Sequence, residues 1–177
     1  SDTIREMMAA AIENDVAMYC TGAPEEWNLD SLRDIYKGWL LTDDNLRYND
    51  AEIKKLTFDD VFDEICNVAA DKYDAQRETI GDELFSDIER NILLHFIDEC
   101  WLDHIDAMDA LKQSVGLQAY AQRDPVIEYR IQGNEMYEEM LESIKSRTTK
   151  AVLTVSVKKP EAFERKEVAN VREGRVA

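Results

Sequence analysis

The feature that most constrains this chain is a helical pattern of apolar residues that runs through residues 83–150 and breaks once, at Gly116–Pro125. On both sides of the break, apolar residues recur three or four positions apart, which is the spacing of one helical face. These residues are Leu84, Ile88, Ile92, Phe96, Ile105, Met108 and Leu111 before the break, and Ile127, Ile131, Met136, Met140 and Ile144 after it. Helices of this length expose an apolar stripe that they cannot bury alone. The pattern therefore predicts two long antiparallel helices that pack on each other or on a surface outside this chain.

The rest of the chain also favours an all-α fold. Only six glycines and three prolines interrupt the 177 residues, of which 45% are hydrophobic. This composition is typical of long helices joined by short connections. Residues 1–20 form an amphipathic helical pattern that Gly22 and Pro24 end. Because this pattern is already established at the first residue, we interpret the chain as a piece of a longer protein.

Residues 25–81 form a more compact region with shorter helical patterns and an aromatic set of their own. The set consists of Trp27, Tyr36, Trp39, Tyr48, Phe58, Phe62 and Tyr73. Thr57, followed by Asp59 and Asp60, predicts a helix N-terminus, because a hydroxyl caps the first turn and acids favour the positive end of the helix dipole. We expect a small helical subdomain here, with Gly81 as a candidate break before the long hairpin.

The residues after Lys150 change period. Leu153–Val157 alternate between apolar and polar side chains, so residues 152–157 are predicted to form a short, half-buried strand. A single strand needs a partner sheet, which we expect in another part of the protein or in a neighbouring molecule. Residues 158–177 carry six basic and four acidic side chains, with Phe163 as their one large apolar residue. We expect a flexible tail there.

The charge of the chain limits its partners and its location. A net charge of −17 argues against binding to nucleic acid or to acidic membranes, because both require clustered Lys and Arg. No run of about 20 apolar residues is present to span a membrane, and the first residues lack the pattern of a signal peptide. We therefore expect a cytosolic protein without a transmembrane segment. Cys20, Cys66 and Cys100 are widely spaced, and we expect three reduced thiols.

Motifs for nucleotide or hydrolytic chemistry do not occur in this sequence. It contains no phosphate-binding loop, dinucleotide-binding turn, nucleophile elbow or His-Glu-x-x-His pair. We therefore expect no ATPase activity and no cofactor in this chain alone. One acidic cluster has the residue types of a metal site: Asp98, Glu99, Asp103, His104, Asp106 and Asp109. We interpret it as a solvated helix face, because its spacing matches that of metal ligands only loosely.

The loop between the long helices is a candidate contact with a partner. Leu117 and Tyr120 lie at the end of a stiff lever, where little of the chain can cover them. They either fold back on the loop or contact a partner, and tyrosine suits a contact because it offers area and a polar group at low entropy cost. The tryptophans have a different interpretation. The large area of an indole predicts Trp27, Trp39 and Trp101 in the core or at a subdomain interface.

Two neighbouring stretches carry a family resemblance. WLDHIDAMDALKQ at residues 101–113 and VGLQAYAQRDPVIEY at residues 115–129 follow the patterns W-x-D-H-I-D-A-M-D-x-L and L-x-A-Y-A-Q-x-(D/N)-P-x-x-E-Y. Here the chain resembles the C-terminal helical region of SecA, the motor ATPase of bacterial preprotein translocation. PEEWNLD at residues 24–30 is also similar to that family, and the resemblance extends over most of residues 1–157.

The resemblance implies a domain organisation. Residues 1–22 would form the first part of a helical scaffold, and residues 23–81 a helical wing domain. Residues 82–151 would form the two-helix finger of the scaffold, and residues 152–177 a linker strand and flexible tail.

The resemblance also implies a site and partners. In that family the finger reaches into the cytoplasmic mouth of the SecY channel, within SecYEG, and touches the translocating preprotein through a tip tyrosine that corresponds to Tyr120. The implied contact residues at the tip are Leu117, Gln118, Ala119, Tyr120, Gln122 and Arg123. The finger also lies against the motor domains, which bind ATP and Mg²⁺, and restrains their hydrolysis until preprotein and channel engage. The implied location is the cytoplasm, peripherally at the inner face of the plasma membrane.

This sequence departs from the family in the parts that it lacks. The two nucleotide-binding domains, the preprotein cross-linking domain and the Cys-rich zinc segment are not present, so ATPase activity is expected only of a parent protein. Two alternatives stay open. One is an autonomous helical adaptor that holds signal peptides or unfolded polypeptide in an apolar groove beside the hairpin. The other is a carboxylate metal site around Asp103 and His104.

Overall fold

A computed structural model describes residues 2–118 and 124–156, with their side chains except those of residues 117 and 118. The helices in this part of the chain are α1 Asp2–Tyr19, α2 Leu29–Tyr36, α3 Asp50–Ile53, α4 Phe58–Ile80, α5 Asp82–Gln118 and α6 Pro125–Thr154. A short 3₁₀ helix covers Pro24–Glu26. The described residues contain no β-strand and only an isolated bridge between Lys37 and Leu41. The predicted all-α class is confirmed for them.

The long helices α5 and α6 pack against each other as an antiparallel pair, as the apolar periodicity predicts. α5 has 37 residues and α6 has 30, and at 1.5 Å per residue the longer helix extends for about 55 Å. Their interface is the most extensive between any two helices of the described chain. The buried side chains along the hairpin include Cys100, Leu111, Val115, Met140 and Ile144. At the start of α6, Asp124 accepts a hydrogen bond from the Val126 N–H at 2.9 Å and caps the helix.

At the base of the hairpin, where α5 begins and α6 ends, both helices pack with α1 and α4 in one apolar core. α1 contributes Ile4, Met8, Ile12 and Val16 from a single face. Gly81 has a φ of 97°, which glycine adopts without strain, and it separates α4 from α5. Across this turn, the Tyr73 hydroxyl donates to the buried Glu89 carboxyl, and the Tyr73 and Phe85 ring centroids lie 5.3 Å apart. The packed side chains around this turn therefore anchor one end of the α5–α6 hairpin.

Side-chain hydrogen bonds order the residues between α2 and α4. Glu64 of α4 accepts from the Leu46 N–H at 2.9 Å and from the Tyr48 hydroxyl. At the first turn of α4, the Thr57 hydroxyl accepts from the Asp60 N–H at 3.2 Å, and the Asp60 carboxylate accepts from the Thr57 N–H at 2.8 Å. This reciprocal pair confirms the helix N-terminus that the sequence predicts.

The division of the chain at residues 22, 81 and 151 stays a prediction. Gly22 and Gly81 both have positive φ angles and lie at two of these boundaries. One cluster of buried residues, however, includes side chains from α1, α2, α4, α5 and α6. The predicted scaffold and wing therefore share a continuous core.

The predicted strand at residues 152–157 is wrong where the structure describes it. α6 continues through Thr154, and Val152 and Leu153 are fully buried in the core. Gln76 of α4 donates from Nε2 to the carbonyl oxygens of Leu153 at 2.9 Å and of Val155 at 3.2 Å, which satisfies the end of the helix. Alternation over so few residues does not separate a strand from a helix end, and burial decides between them. The tail predicted for residues 158–177 lies outside the described residues and stays a prediction.

Candidate polypeptide contact site on the hairpin

In the sequence, the predicted contact residues cover the end of α5 and the connection to α6. Leu117 and Gln118 belong to the last turn of α5, and α6 starts at Pro125. Ala119, Tyr120, Gln122 and Arg123 lie outside the described residues. The assignment of these six residues as a contact site therefore stays a prediction. What the structure adds is the pair of helices that carries them.

Both helices of the hairpin expose large apolar side chains. On α5 these include Leu94, Ile97, Trp101 and Ile105, and on α6 they include Ile127, Ile131, Tyr137 and Leu141. The His104 ring connects the two helices, with its centroid 5.8 Å from that of Trp101 and 5.9 Å from that of Tyr137. The sequence predicts the three tryptophans in the core or at a subdomain interface. Trp101 is 48% exposed, so the core alternative is wrong for it, whereas Trp27 and Trp39 pack against the core. The predicted apolar stripe includes Ile105, Ile127 and Ile131, which the partner helix leaves exposed, but not the other five positions.

A groove of about 1050 Å³ runs along α6 beside this exposed surface. Its apolar walls come from Met108, Ile127, Ile131 and Tyr137. A Cβ atom at Gly133 would lie 2.9 Å from the Met108 methyl carbon, so glycine allows the α5 side chain to approach the α6 backbone. The groove has the volume and the mixed lining of a binding site, and apolar side chains of another chain fit its chemistry.

On another part of the hairpin, Arg147 of α6 ties the helices together. Its Nη2 donates to Glu99 Oε1 at 2.8 Å, and its Nη1 donates to the Cys100 sulfur at 3.5 Å. Its guanidinium carbon also lies 4.6 Å from the centroid of the Phe96 ring. The hydrogen bond from Arg147 holds the pKa of Glu99 below its usual value. Sequence reasoning missed this residue, because no local pattern marks a cation that bridges two helices.

The acidic cluster does not assemble a metal site. Across the ranges 2–118 and 124–156, no group of three or more His, Cys, Asp or Glu side chains is placed to hold a metal ion. His104 packs between aromatic rings, and His95 lies 3.5 Å from Glu99 on the same helix. The metal alternative has no geometric support in this part of the chain.

No helix that the structure describes is both long and apolar enough to cross a membrane.

Comparison with known proteins decides the family. A sequence model described as the SecA Wing and Scaffold domain matches residues 1–156. The chain belongs to the SecA family. The resemblance carried by the tryptophan and tyrosine motifs is thereby confirmed.

Full-length relatives agree with this assignment. The chain is 32% identical over 174 residues to the protein translocase subunit SecA of Desulforamulus reducens. The aligned residues make up 97% of this chain and 20% of that relative. It is 38% identical over 172 residues to SecA of Finegoldia magna, covering 96% of the chain and 18% of the relative. SecA of Pelotomaculum thermopropionicum is 33% identical over 163 residues. The chain thus spans about one fifth of the length of these SecA proteins.

Proposed function

We propose that this chain is the polypeptide-engaging and regulatory helical module of a SecA-like protein translocation motor. The observation that supports the proposal is the hairpin of α5 and α6, which is anchored in a core at one end, while at the other end α5 stops at Gln118 and α6 begins at Pro125. In this proposal Leu117, Gln118, Ala119, Tyr120, Gln122 and Arg123 contact the translocating preprotein and the SecYEG channel. Membership of the SecA family supports the choice of partners.

The hairpin would act as a lever. Its buried seam and the Arg147 bridge hold the two helices together, so a displacement at the base moves the tip instead of shearing one helix past the other. ATP and Mg²⁺ would bind to motor domains of a parent protein, and this chain would supply no catalytic residue. The parent protein would work at the cytoplasmic face of the membrane, where preprotein and channel meet.

Replacement of Tyr120 tests the tip. We expect Tyr120→Ala in a full-length parent protein to reduce preprotein translocation while leaving ATP binding unchanged, because the substitution removes a contact and no nucleotide ligand. Leu102→Ala is the control, since this large side chain is 64% exposed on α5 and lies outside the groove beside α6. Translocation by Tyr120→Ala at the rate of the unaltered protein would exclude the tip assignment.

Addition of this chain to the motor domains tests the regulatory part. We expect the separate 177-residue chain to lower the basal ATP hydrolysis of a motor fragment that lacks it. Complex formation is measured in the same mixture by analytical ultracentrifugation. A complex that forms while hydrolysis stays unchanged would contradict regulation by the hairpin.

The groove beside α6 favours one alternative, an autonomous adaptor for signal peptides or unfolded segments. Trp101 contacts His104, which in turn contacts Tyr137 on the wall of the groove. The fluorescence of Trp101 should therefore report whether a peptide occupies the groove. The adaptor predicts a saturable change in Trp101 emission when an apolar peptide is added to this chain in a Trp27→Phe and Trp39→Phe background. An emission spectrum that does not respond counts against the adaptor.

A further inference from the structure

A second groove, of about 270 Å³, lies where α1, α2 and α6 meet, and we call it the junction groove. Its lining includes Asp15, Met18, Ile35, Trp39, Thr149 and Lys150. Thr149 follows Pro125, the first residue of α6, by 24 residues of continuous helix. At the rise of an α-helix this separation is about 36 Å. The junction groove is therefore distinct from the tip and from the groove beside Tyr137.

Asp15 gives the junction groove a carboxylate without a counter-ion. Its Oδ2 accepts a hydrogen bond from the Tyr36 hydroxyl at 2.6 Å. Within the part of the chain that the structure describes, no Lys, Arg or His nitrogen lies within 4 Å of this carboxylate. Burial raises the pKa of Asp15 more than the Tyr36 hydrogen bond lowers it, and Glu142 raises it further. A partly buried negative charge of this kind is stabilised by a cation.

The walls next to Asp15 suit the methylene groups of a long side chain. Met18 and Ile35 border the same groove as this carboxylate and are 64% and 37% exposed, so a ligand can contact them. The Trp39 indole is held in place by a hydrogen bond from its Nε1 to the Ile35 carbonyl oxygen at 2.7 Å. The Lys150 ammonium of this chain lies 5.6 Å from the Trp39 ring centroid, so the chain's own lysine already lies over one face of this indole, and an incoming stem has the rest of the ring, Met18 and Ile35 to contact.

Thr149 also borders the groove, but its hydroxyl, which has no hydrogen-bond partner among the described residues, is itself closed to solvent. The charged acceptor that the groove offers to a ligand is therefore the Asp15 carboxylate. A carboxylate beside an aromatic wall matches a cationic donor better than an anionic or a purely apolar ligand.

We infer that the junction groove binds a Lys or Arg side chain of a partner polypeptide. The cation pairs with Asp15, and the methylene stem lies against Met18, Ile35 and Trp39. Such side chains bury their stems on apolar surface while their charge meets a polar group. The net charge of −17 attracts basic segments toward this chain over longer distances. The inference stands whether or not the hairpin tip contacts preprotein.

Nuclear magnetic resonance on the 177-residue chain tests the inference. The probe is acetyl-Leu-Lys-Leu-amide, and its control is the same tripeptide with norleucine, which keeps the stem and removes the charge. We expect the lysine tripeptide to shift the Trp39 indole N–H resonance saturably and to bind at least about tenfold more tightly than the norleucine tripeptide.

Two substitutions locate the charge that is responsible. Asp15→Asn keeps an acceptor for Tyr36 and should weaken binding of the lysine tripeptide by about tenfold or more. Glu13→Gln removes one charge from an exposed position of the same helix and should change the affinity by less than about twofold. Circular dichroism confirms that both variants keep their helices.

Several results would overturn the inference. Equal binding of the two tripeptides would reduce the junction groove to an apolar surface. An Asp15→Asn variant that is folded and binds the lysine tripeptide with full affinity would place the cation elsewhere. A Trp39 resonance that does not move at millimolar peptide would mean that the groove binds no basic side chain of this kind.

Discussion

Arg147 shows how much one side chain can contribute to the hairpin. It donates hydrogen bonds to Glu99 and Cys100 of the opposite helix and lies over Phe96. We expect Arg147→Met to lower the free energy of unfolding by about 1–2 kcal/mol, because it removes a charge-assisted hydrogen bond and a cation–π contact from a partly exposed site. Urea unfolding followed by circular dichroism measures the change.

Lys145→Met is the control for this substitution. Lys145 pairs with Glu142 at 2.7 Å within the same helix. An exposed pair of this type stabilises a protein by about 0.5 kcal/mol or less. Equal losses for Arg147→Met and Lys145→Met would show that the bridge between the helices adds no stability beyond a surface ion pair.

Asp15 makes stability depend on pH in the opposite direction from most carboxylates. Burial is the main cause that raises its pKa above the ordinary value of 3.8. The folded chain therefore retains this proton more strongly than the unfolded chain, and the stability linked to it is lost as the pH rises through the raised pKa. We expect Asp15→Asn to become more stable relative to the unaltered chain between about pH 4 and neutral pH. Urea midpoints at several pH values measure this difference.

Glu99→Gln should change the pH dependence of stability in the opposite direction from Asp15→Asn. The Arg147 hydrogen bond lowers the pKa of Glu99, so its contribution is present at neutral pH and is lost as the pH falls through that lowered value. The Glu99→Gln variant should therefore be less stable than the unaltered chain at neutral pH, and this difference should disappear in acid. If Asp15→Asn followed the same trend as Glu99→Gln, the burial of Asp15 would not control its titration.

At the scale of the helices, Gly133 controls how closely α5 and α6 approach. A Cβ atom there would meet the flexible end of Met108 at 2.9 Å, whereas no atom of the described residues lies within 4 Å of a Cβ atom at Gly116. We expect Gly133→Leu to lower the free energy of unfolding by about 1–3 kcal/mol through overpacking. Gly133→Ala should cost much less, since the Met108 methyl can move and alanine favours the helix.

Gly116→Leu is the control for this pair, because a Cβ atom there meets nothing in the part of the chain that the structure describes. It should change stability by about 0.5 kcal/mol or less. Urea unfolding of the three variants gives the comparison. A Gly133→Leu variant as stable as Gly116→Leu would mean that Gly133 is not at a close contact between the helices.

At the scale of the whole molecule, the net charge of −17 opposes compaction. Salt screens exposed charges over about 8–10 Å at moderate ionic strength. We therefore expect the thermal midpoint to rise as NaCl increases from about 20 mM to about 0.5 M, because the repulsion among carboxylates weakens. Thermal unfolding by circular dichroism measures the midpoint.

A variant with less repulsion is the control. Asp106→Lys and Glu135→Lys reverse two exposed charges on α5 and α6 and shift the net charge by four units toward zero. The thermal midpoint of this double variant should rise less with NaCl than that of the unaltered chain. The same response in both proteins would attribute the salt effect to something other than net charge.

The sequence by itself determined the features that depend on local chemistry and on period. The apolar spacing predicted the two long helices, Thr57 and Asp60 predicted a capped helix, and Gly81 marked the break before the hairpin. The motifs around Trp101 and Tyr120 were long enough to identify the SecA family. These features need only neighbours in the sequence, which is why they could be predicted.

The tertiary structure alone decided which surfaces are covered. Val152 and Leu153 form a helix and not a strand because the core buries them and Gln76 caps their end. Trp101 is exposed because α6 covers only one side of α5. The junction groove around Asp15 brings α6 together with α1 and α2, which lie at the other end of the sequence, and no local pattern encodes such a meeting. Burial is a property of the assembled helices, so these outcomes could not be predicted from spacing alone.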